Sequence, residues 1–141
     1  MAVVTDVFNP AKDYEAVKKL AMELTGYVGE DFDDRRFRLA ISKRKTDRIN
    51  RNGIILAKDG ENVVGMIWGE VDLSKIGKIS NFIIDGQYRG QGIGNQLIQK
   101  VIAFFETHKV GRIQANVRNL EKEGKLYEKF GFKRLFCTMQ R

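Results

Sequence analysis

The residues with the clearest chemical capacity are the run Gln87-Tyr88-Arg89-Gly90-Gln91-Gly92-Ile93-Gly94, set between an apolar stretch at 79–84 and a helical pattern at 95–107. Glycines where a strand turns into a helix make a ready anion site. The first N–H groups of a helix have no intrahelical acceptor, and the helix dipole favours negative charge there. Glycine also removes the side chains that would hold a phosphate away from those groups. Two kinds of glycine loop fail to match. A nucleotide P-loop needs Lys followed by Ser or Thr after its last glycine, whereas Gly94 is followed by Asn95-Gln96. A dinucleotide fingerprint needs G-x-G-x-x-G. Its last place is Asn95 if the run starts at Gly90, and Leu97 if it starts at Gly92. The strand expected over 112–117 also leads into Arg118, where a ribose would need an acid.

Other chemistry is thinner. One histidine, His108, and one cysteine, Cys137, make no metal site at any standard spacing, so no metal is expected, although a carboxylate-only site stays open. One thiol cannot form an internal disulfide. The N-terminal run lacks a basic region followed by a long apolar one, so no secretory signal is read and a cytoplasmic location is expected. No stretch approaches the ~20 apolar residues of a membrane span. A net charge of +7 suits an anionic ligand or partner, nucleic acid included, without distinguishing them. Much of that charge lies at Arg35, Arg36, Arg38, Lys43, Arg44, Lys45, Arg48 and Arg51, where the ordinary reading is a solvated helix face.

The elements that must hold the glycine run follow from pattern. The 141 residues are expected to form one domain over 1–141, and 43% hydrophobic content is enough for a core. A β-prone segment spans 3–8. Asn9-Pro10 then reads as a helix start, with Asn as cap and Pro in the first helical position. Val17, Leu20, Ala21 and Leu24 follow at helical spacing, and Gly26 ends that helix. A second helix is expected over 31–45, with Phe37, Ala40, Ile41 and Arg44 on one side. Strands are expected at 54–58 and 63–71, joined by an Asp59-Gly60 turn, and at 78–84. Ile93, Leu97, Ile98, Val101, Ile102 and Phe105 form a helical stripe. A strand at 112–117, a short helix at 120–130 stopped by Gly131, and a final strand at 132–139 complete the order. That order is α/β with a mixed sheet. A parallel pair across the crossover helix would put the glycine turn at the carboxyl edge of the sheet.

With these elements around it, Arg89-Gly90-Gln91-Gly92-Ile93-Gly94 resembles the pyrophosphate signature of the GNAT superfamily of acyl-CoA-dependent N-acetyltransferases. Asn119 followed by Leu126-Tyr127-Glu128-Lys129-Phe130-Gly131-Phe132 is similar to that family's second block, at the expected distance. The resemblance implies a GNAT-like fold: a central, mostly antiparallel sheet with a parallel pair splayed at the acetyl-CoA site, flanked by about four helices. There are two departures. Many members carry Pro where this chain has Gly86, which should loosen the turn. Asn119 and Tyr127 are also one residue further apart than is common.

The resemblance further implies transfer of an acetyl group from acetyl-CoA, as cosubstrate, to a primary amine by direct attack through a tetrahedral intermediate. Backbone groups of Phe82, Ile83 and Ile84 would face the pantetheine arm, an N–H near Ile84 stabilising the oxyanion. N–H groups of Gly90, Gln91, Gly92, Ile93, Gly94 and Asn95 would face the pyrophosphate, with Arg89 and Asn119 also at the cofactor. Tyr127 would be the general acid. The attacking amine must be neutral at pH 7, which costs roughly 4–5 kcal/mol for a lysine and roughly 1–1.5 for an α-amine. Glu70 is the best placed carboxylate for a base, and Asn81 could order a water. His108 follows the crossover helix and reads as a surface residue. The segment Tyr27-Val28-Gly29-Glu30-Asp31-Phe32-Asp33-Asp34 would wall the acceptor side, either as an acidic lip or as helix N-terminal chemistry with Asp31 able to cap. Protein N-termini, lysines, polyamines and small amines all remain open as acceptors. Family members often form dimers, so a homodimer is an option. The rival reading is a non-catalytic acetyl-CoA- or nucleic-acid-binding module using 35–51. The chain lacks an aromatic-rich basic strand or a recognition-helix motif, which makes nucleic acid a poor fit.

Overall fold

The computed structural model describes residues 2–27, 29–117, 120–135 and 141. The chain opens with strand β1 (Val3–Val7), helix α1 (Pro10–Tyr27) and helix α2 (Asp34–Lys45). Strands β2 (Ile54–Asp59), β3 (Asn62–Val71) and β4 (Ile76–Ile84) follow, then helix α3 (Ile93–Thr107) and strand β5 (Arg112–Ala115). A π-helical turn, Leu120–Gly124, runs into the short helix α4 (Lys125–Glu128). The five strands lie in chain order across one sheet; all neighbours are antiparallel except the parallel pair β4–β5. This is the mixed sheet expected from the sequence, with α3 as the crossover.

Local chemistry fixes the boundaries. The Asn9 side chain accepts from the Ala11 N–H (3.0 Å), and the Asp13 carboxylate accepts from the Asn9 N–H (2.9 Å), so α1 begins at Pro10. α2 begins at Asp34, later than the expected 31, because Asp33 rather than Asp31 is the cap: its carboxylate accepts from the Arg36 N–H at 3.1 Å. Asp34 is then held by Lys18 (2.8 Å) and Arg38 (3.0 Å). β4 starts at Ile76, earlier than expected, and β5 stops at Ala115, short of the expected 117. Of the expected last strand, 132–135 form no strand and 136–140 lie outside the described residues.

Each face of the sheet has its own core. α3 lays Leu97, Ile98, Val101 and Phe105 against Ile67, Val71 and Ile79. Burying a side chain such as Phe105, which has no exposed surface, is worth roughly 1.5–3 kcal/mol. α1 and α2 lay Val17, Leu20, Phe37 and Ile41 against Leu56, Met66, Trp68 and Ile83. Buried polar groups lock the helices to the sheet. The Lys58 ammonium lies 3.2 Å from both Asp13 and Asp6, joining α1 to β2. Arg44 donates to the carbonyls of Asn50 (3.1 Å) and Gly69 (2.8 Å), with its guanidinium 5.2 Å above the Trp68 ring. The Asn50 amide accepts from the Val71 N–H (2.7 Å) and donates to the Val71 carbonyl (3.1 Å). The end of α2 is thereby fixed to β3.

Candidate active site

The site begins where two parallel strands part. β4 is paired with β3 from Gly77 to Ile84, but with β5 only through Ile76, Gly77, Lys78 and Ile79. Past the Ile79–Ala115 pair, the β5-facing backbone groups of β4 have no strand to meet. A β-bulge sits at this point. Trp68 opposes Ser80 and Met66 opposes Ile83, so Asn81 and Phe82 together face Ile67. Asn81 takes a φ of 47°, a left-handed conformation that asparagine tolerates better than most residues. A bulge bends its strand and re-aims the side chains around it. Here it carries β4 away from β5, and a cleft of about 130 Å³ opens. Ile79, Ser80, Asn81 and Phe82 line it from β4, with Asn116 just past β5; Leu24 of α1, Glu123 and Tyr127 complete the walls.

The glycine run sits at the end of β4. The Gly86–Tyr88 turn is a 3₁₀ helix capped by Asp85, whose carboxylate accepts from the Gln87 N–H at 2.9 Å. The Tyr88 hydroxyl donates to Asp59 at 2.7 Å. These bonds hold the turn that Gly86 was expected to loosen. Gly90 and Gly92 have φ of 78° and 80°, and a Cβ at either would meet no protein atom within 4 Å. Gly94 has a different task, since a Cβ there would lie 3.0 Å from Leu126 Cδ2; it lets α3 pack closely on α4. The first backbone N–H of this region to find a backbone acceptor is Gln96, bonded to the Gly92 carbonyl at 3.3 Å. Among the described residues, the N–H groups of Gly90, Gln91, Gly92, Ile93, Gly94 and Asn95 have no protein acceptor. They are unfilled donors around open space, which fits a bound pyrophosphate.

Tyr127 closes the cleft from the far side. It is 4% exposed, with its ring against Phe82 (6.0 Å) and Phe132 (5.2 Å). Burial pushes the phenol well above its ordinary pKa, and the Glu123 carboxylate adds to the effect. A π-turn, which spans one residue more than an α-turn, immediately precedes α4, and Tyr127 of that helix faces the cleft. Asn119 itself lies outside the described residues.

Other expected site residues fall at varied distances from the cleft. Phe82 lines it, while Ile83 is buried against the α1–α2 core and Ile84 packs on the α3 side. Glu70 lies on β3 opposite Lys78, with its side chain 51% exposed and 3.8 Å from Arg44. It shares the α1–α2 face with Trp68 and Ser80, one rung from the cleft. Asp33 and Asp34 are committed to the start of α2, leaving Glu30 and Asp31 as the exposed acids of the lip. His108 caps α3 and packs edge-on against Phe104, ring centres 5.1 Å apart. Of the basic cluster, Arg44 is buried and Arg38 is paired. Ser80, Asn116, Glu123 and Leu24 were not foreseen. Only Glu123 had a signal, lying one helical turn before Tyr127. A larger hollow of about 430 Å³ lies between the start of α1 and the end of α2; Arg44, Lys45 and Arg51 of the basic cluster line it, and none of the cleft residues does. Among the described residues no acidic, His or Cys cluster could hold a metal, and no helix is long and apolar enough to cross a membrane.

Comparisons agree with this geometry. Among curated proteins, none matches the sequence. Solved structures with the same fold include the NatC complex bound to Gag peptide and CoA (20% identity, TM-score 0.80, covering 96% of this chain and 87% of that one). AAC(6')-Iy with the bisubstrate analog CoA-S-monomethyl-acetylneamine is another (13%, TM-score 0.79, 100% and 99%). A third is glucosamine-6-phosphate N-acetyltransferase from Arabidopsis thaliana (12%, TM-score 0.75, 100% and 98%). The family model for the acetyltransferase (GNAT) domain matches residues 12–140, nearly the whole chain. With the parted strands, the glycine loop and the match in hand, the chain belongs to the GNAT acetyltransferase family.

Proposed function

We propose that this protein is an N-acetyltransferase, a single domain over 1–141, that moves an acetyl group from acetyl-CoA to a primary amine. The observation that carries this reading is a combination of three features: the open edge of β4, the free N–H groups of residues 90–95 beyond the end of that strand, and a buried Tyr127 in the cleft beside β4. Acetyl-CoA supplies an activated thioester. Residues 90–95 bind its pyrophosphate, with Arg89 beside them and Asn119 toward the cofactor from the second block. Backbone groups of Phe82, Ile83 and Ile84 hold the pantetheine arm, and an N–H at the open edge stabilises the oxygen that gains charge as the amine attacks. The new C–N bond forms through a tetrahedral intermediate, the C–S bond breaks, and Tyr127 gives its proton to the departing sulfur. The amine's proton leaves toward solvent. Glu70 is a base at one remove, through a water held near Ser80 and Asn81, because its strand position is one rung from the cleft.

The acceptor is a primary amine reaching the cleft from the α1–α2 face, past Leu24 and the exposed acids Glu30 and Asp31. Solved structures of the same fold hold a Gag peptide with CoA in one case and the bisubstrate analog CoA-S-monomethyl-acetylneamine in another, and either kind of acceptor suits that approach. The nucleic-acid reading loses support from the burial of Arg44 and the pairing of Arg38. The deciding experiment has two parts. Acetyl-CoA should raise the melting temperature, and free CoA should appear when the enzyme is given one of a panel of peptide α-amines, lysine peptides, polyamines and aminoglycosides. No thermal shift at saturating acetyl-CoA would sink the cofactor assignment. A shift without turnover on any amine would leave a binding module.

A further inference from the structure

The guanidinium of Arg89 makes a contact that the proposed chemistry does not use. Arg89 Nε donates to the Ile84 carbonyl at 3.2 Å, and Nη2 donates to the Tyr27 hydroxyl at 3.4 Å. The guanidinium carbon lies 5.4 Å from the centre of the Tyr27 ring, in cation–π geometry. Among the described residues no carboxylate pairs with Arg89, so the remaining N–H donors of its five keep their charge uncommitted beside the glycine loop. Tyr27 is the last residue of α1 and is 65% exposed. The same final turns of α1 place Leu24 in the cleft wall. Beyond Tyr27 the chain closes on α1 through Gly29 N–H to the Gly26 carbonyl (3.2 Å) and Glu30 N–H to the Thr25 carbonyl (3.0 Å), at the start of the acceptor lip.

We propose that Tyr27 is a positioning residue that ties the end of α1, and with it the acceptor lip, to the donor loop through Arg89. An exposed arginine ordinarily samples many rotamers. Here it is held at three points: on the Ile84 carbonyl, on the tyrosine hydroxyl and over the ring. A phosphate at the loop takes up the free N–H groups and reduces that freedom further. Tyr27 then stacks on a group whose place the cofactor has fixed, so occupancy of the donor site steadies the segment the amine must pass. The coupling is reciprocal, since an acceptor that orders the lip steadies Arg89 for the cofactor.

This inference rests on the cofactor reading, and the test separates the two. Amide hydrogen exchange is followed with and without saturating CoA, in wild type, Tyr27→Phe and Tyr27→Ala. In wild type, CoA slows exchange at residues 90–95, and slows Gly29 and Glu30 by about two- to five-fold, the scale of an exposed cation–π contact. Tyr27→Phe keeps the ring and most of the slowing at Gly29 and Glu30. Tyr27→Ala loses that slowing while residues 90–95 stay protected. Protection at 90–95 with no change at Gly29 and Glu30 in wild type, or unchanged slowing in Tyr27→Ala, would overturn the coupling alone. No protection at either place would overturn the cofactor reading and this inference with it.

Discussion

Alanine at Gly92 separates folding from cofactor binding. Gly92 caps α3 with φ 80° and ψ 7°, and holding an L-residue in that left-handed region costs about 1–2 kcal/mol. A Cβ at this position meets no protein atom within 4 Å, so no clash is added in the free protein. For a chain of this size that penalty lowers Tm by roughly 3–10 °C. Binding suffers separately, because on the proposed reading the methyl group stands in the open space beside Gly92 that the pyrophosphate would use. Losing one charge-assisted N–H contact to a phosphate is worth about 1.5–3 kcal/mol, or roughly a 10- to 150-fold weaker CoA complex. Gly60 provides the control. It has φ 62° in the β2–β3 turn and equally open space around a Cβ, so Gly60→Ala carries the same backbone cost far from the loop. Titration calorimetry with CoA, run well below both melting temperatures, compares the two. Gly60→Ala should bind as wild type does, and Gly92→Ala at least about tenfold more weakly. Equal affinity in both variants, with equal losses in Tm, would refute the cradle.

The other predictions can be checked with the same protein. Tyr127→Phe should lower kcat by about 10²- to 10³-fold with Tm near wild type, because the ring keeps its packing on Phe82 and Phe132; unchanged turnover would remove the acid from the mechanism. Glu70→Gln should slow acetylation of a lysine peptide more than that of a peptide α-amine, with the deficit narrowing as pH approaches that of the free amine; equal effects on both acceptors would count against a base at that position. Asp47 accepts from the N–H groups of Asn50 and Ile49, which hold its carboxyl below the ordinary value. A depressed folded pKa gives stability that is present above about pH 4 and is lost as pH falls through the folded value. The Tm gap between wild type and Asp47→Asn should therefore be present at pH 7 and shrink in acid, and a pH-independent gap would contradict this.

Much of the fold was legible because its signals are local. Asn9-Pro10, Asp59-Gly60 and the stripe from Ile93 to Phe105 each mark an element by its own residues, and each lies where expected. Boundaries moved where a side chain chose between neighbours of the same type. Asp31, Asp33 and Asp34 are all good caps on paper, and Asp33 captures the Arg36 N–H. The glycine turn was legible, and Gly90 and Gly92 take the positive φ that such a run suggests. The acceptor side was not. Ser80, Asn116 and Leu24 reach the cleft because of a bulge at Asn81 and the divergence of β5, and both arise from strand pairing across long sequence separations. The contact between Tyr27 and Arg89 is likewise invisible in either local sequence.

Burial of Tyr127 changes the proton inventory. A phenol near its ordinary pKa of ~10 could pass a proton downhill only to a sulfur of comparable or greater basicity. In the cleft the phenol is held well above that value, first by burial and then by Glu123, which alone would make it a reluctant acid. On the proposed mechanism the departing sulfur would leave into the same walls, lined by Ile79, Phe82 and Glu123, and burial and the nearby carboxylate would oppose its negative charge as well. Transfer depends on the difference between the two affinities, and a shared environment moves both in the same direction. Neither anion is then stable in the cleft for long, which favours proton transfer as the C–S bond breaks and prompt reprotonation of the phenol from solvent. The pH profile carries the mark of this arrangement. Because the folded pKa of Tyr127 is raised, the phenol stays protonated as pH passes its ordinary value, so kcat should show no loss near pH ~10 from this group. A falling alkaline limb near pH ~10 that disappears in Tyr127→Phe would show that the phenol ionises at its ordinary value and that burial does not govern it.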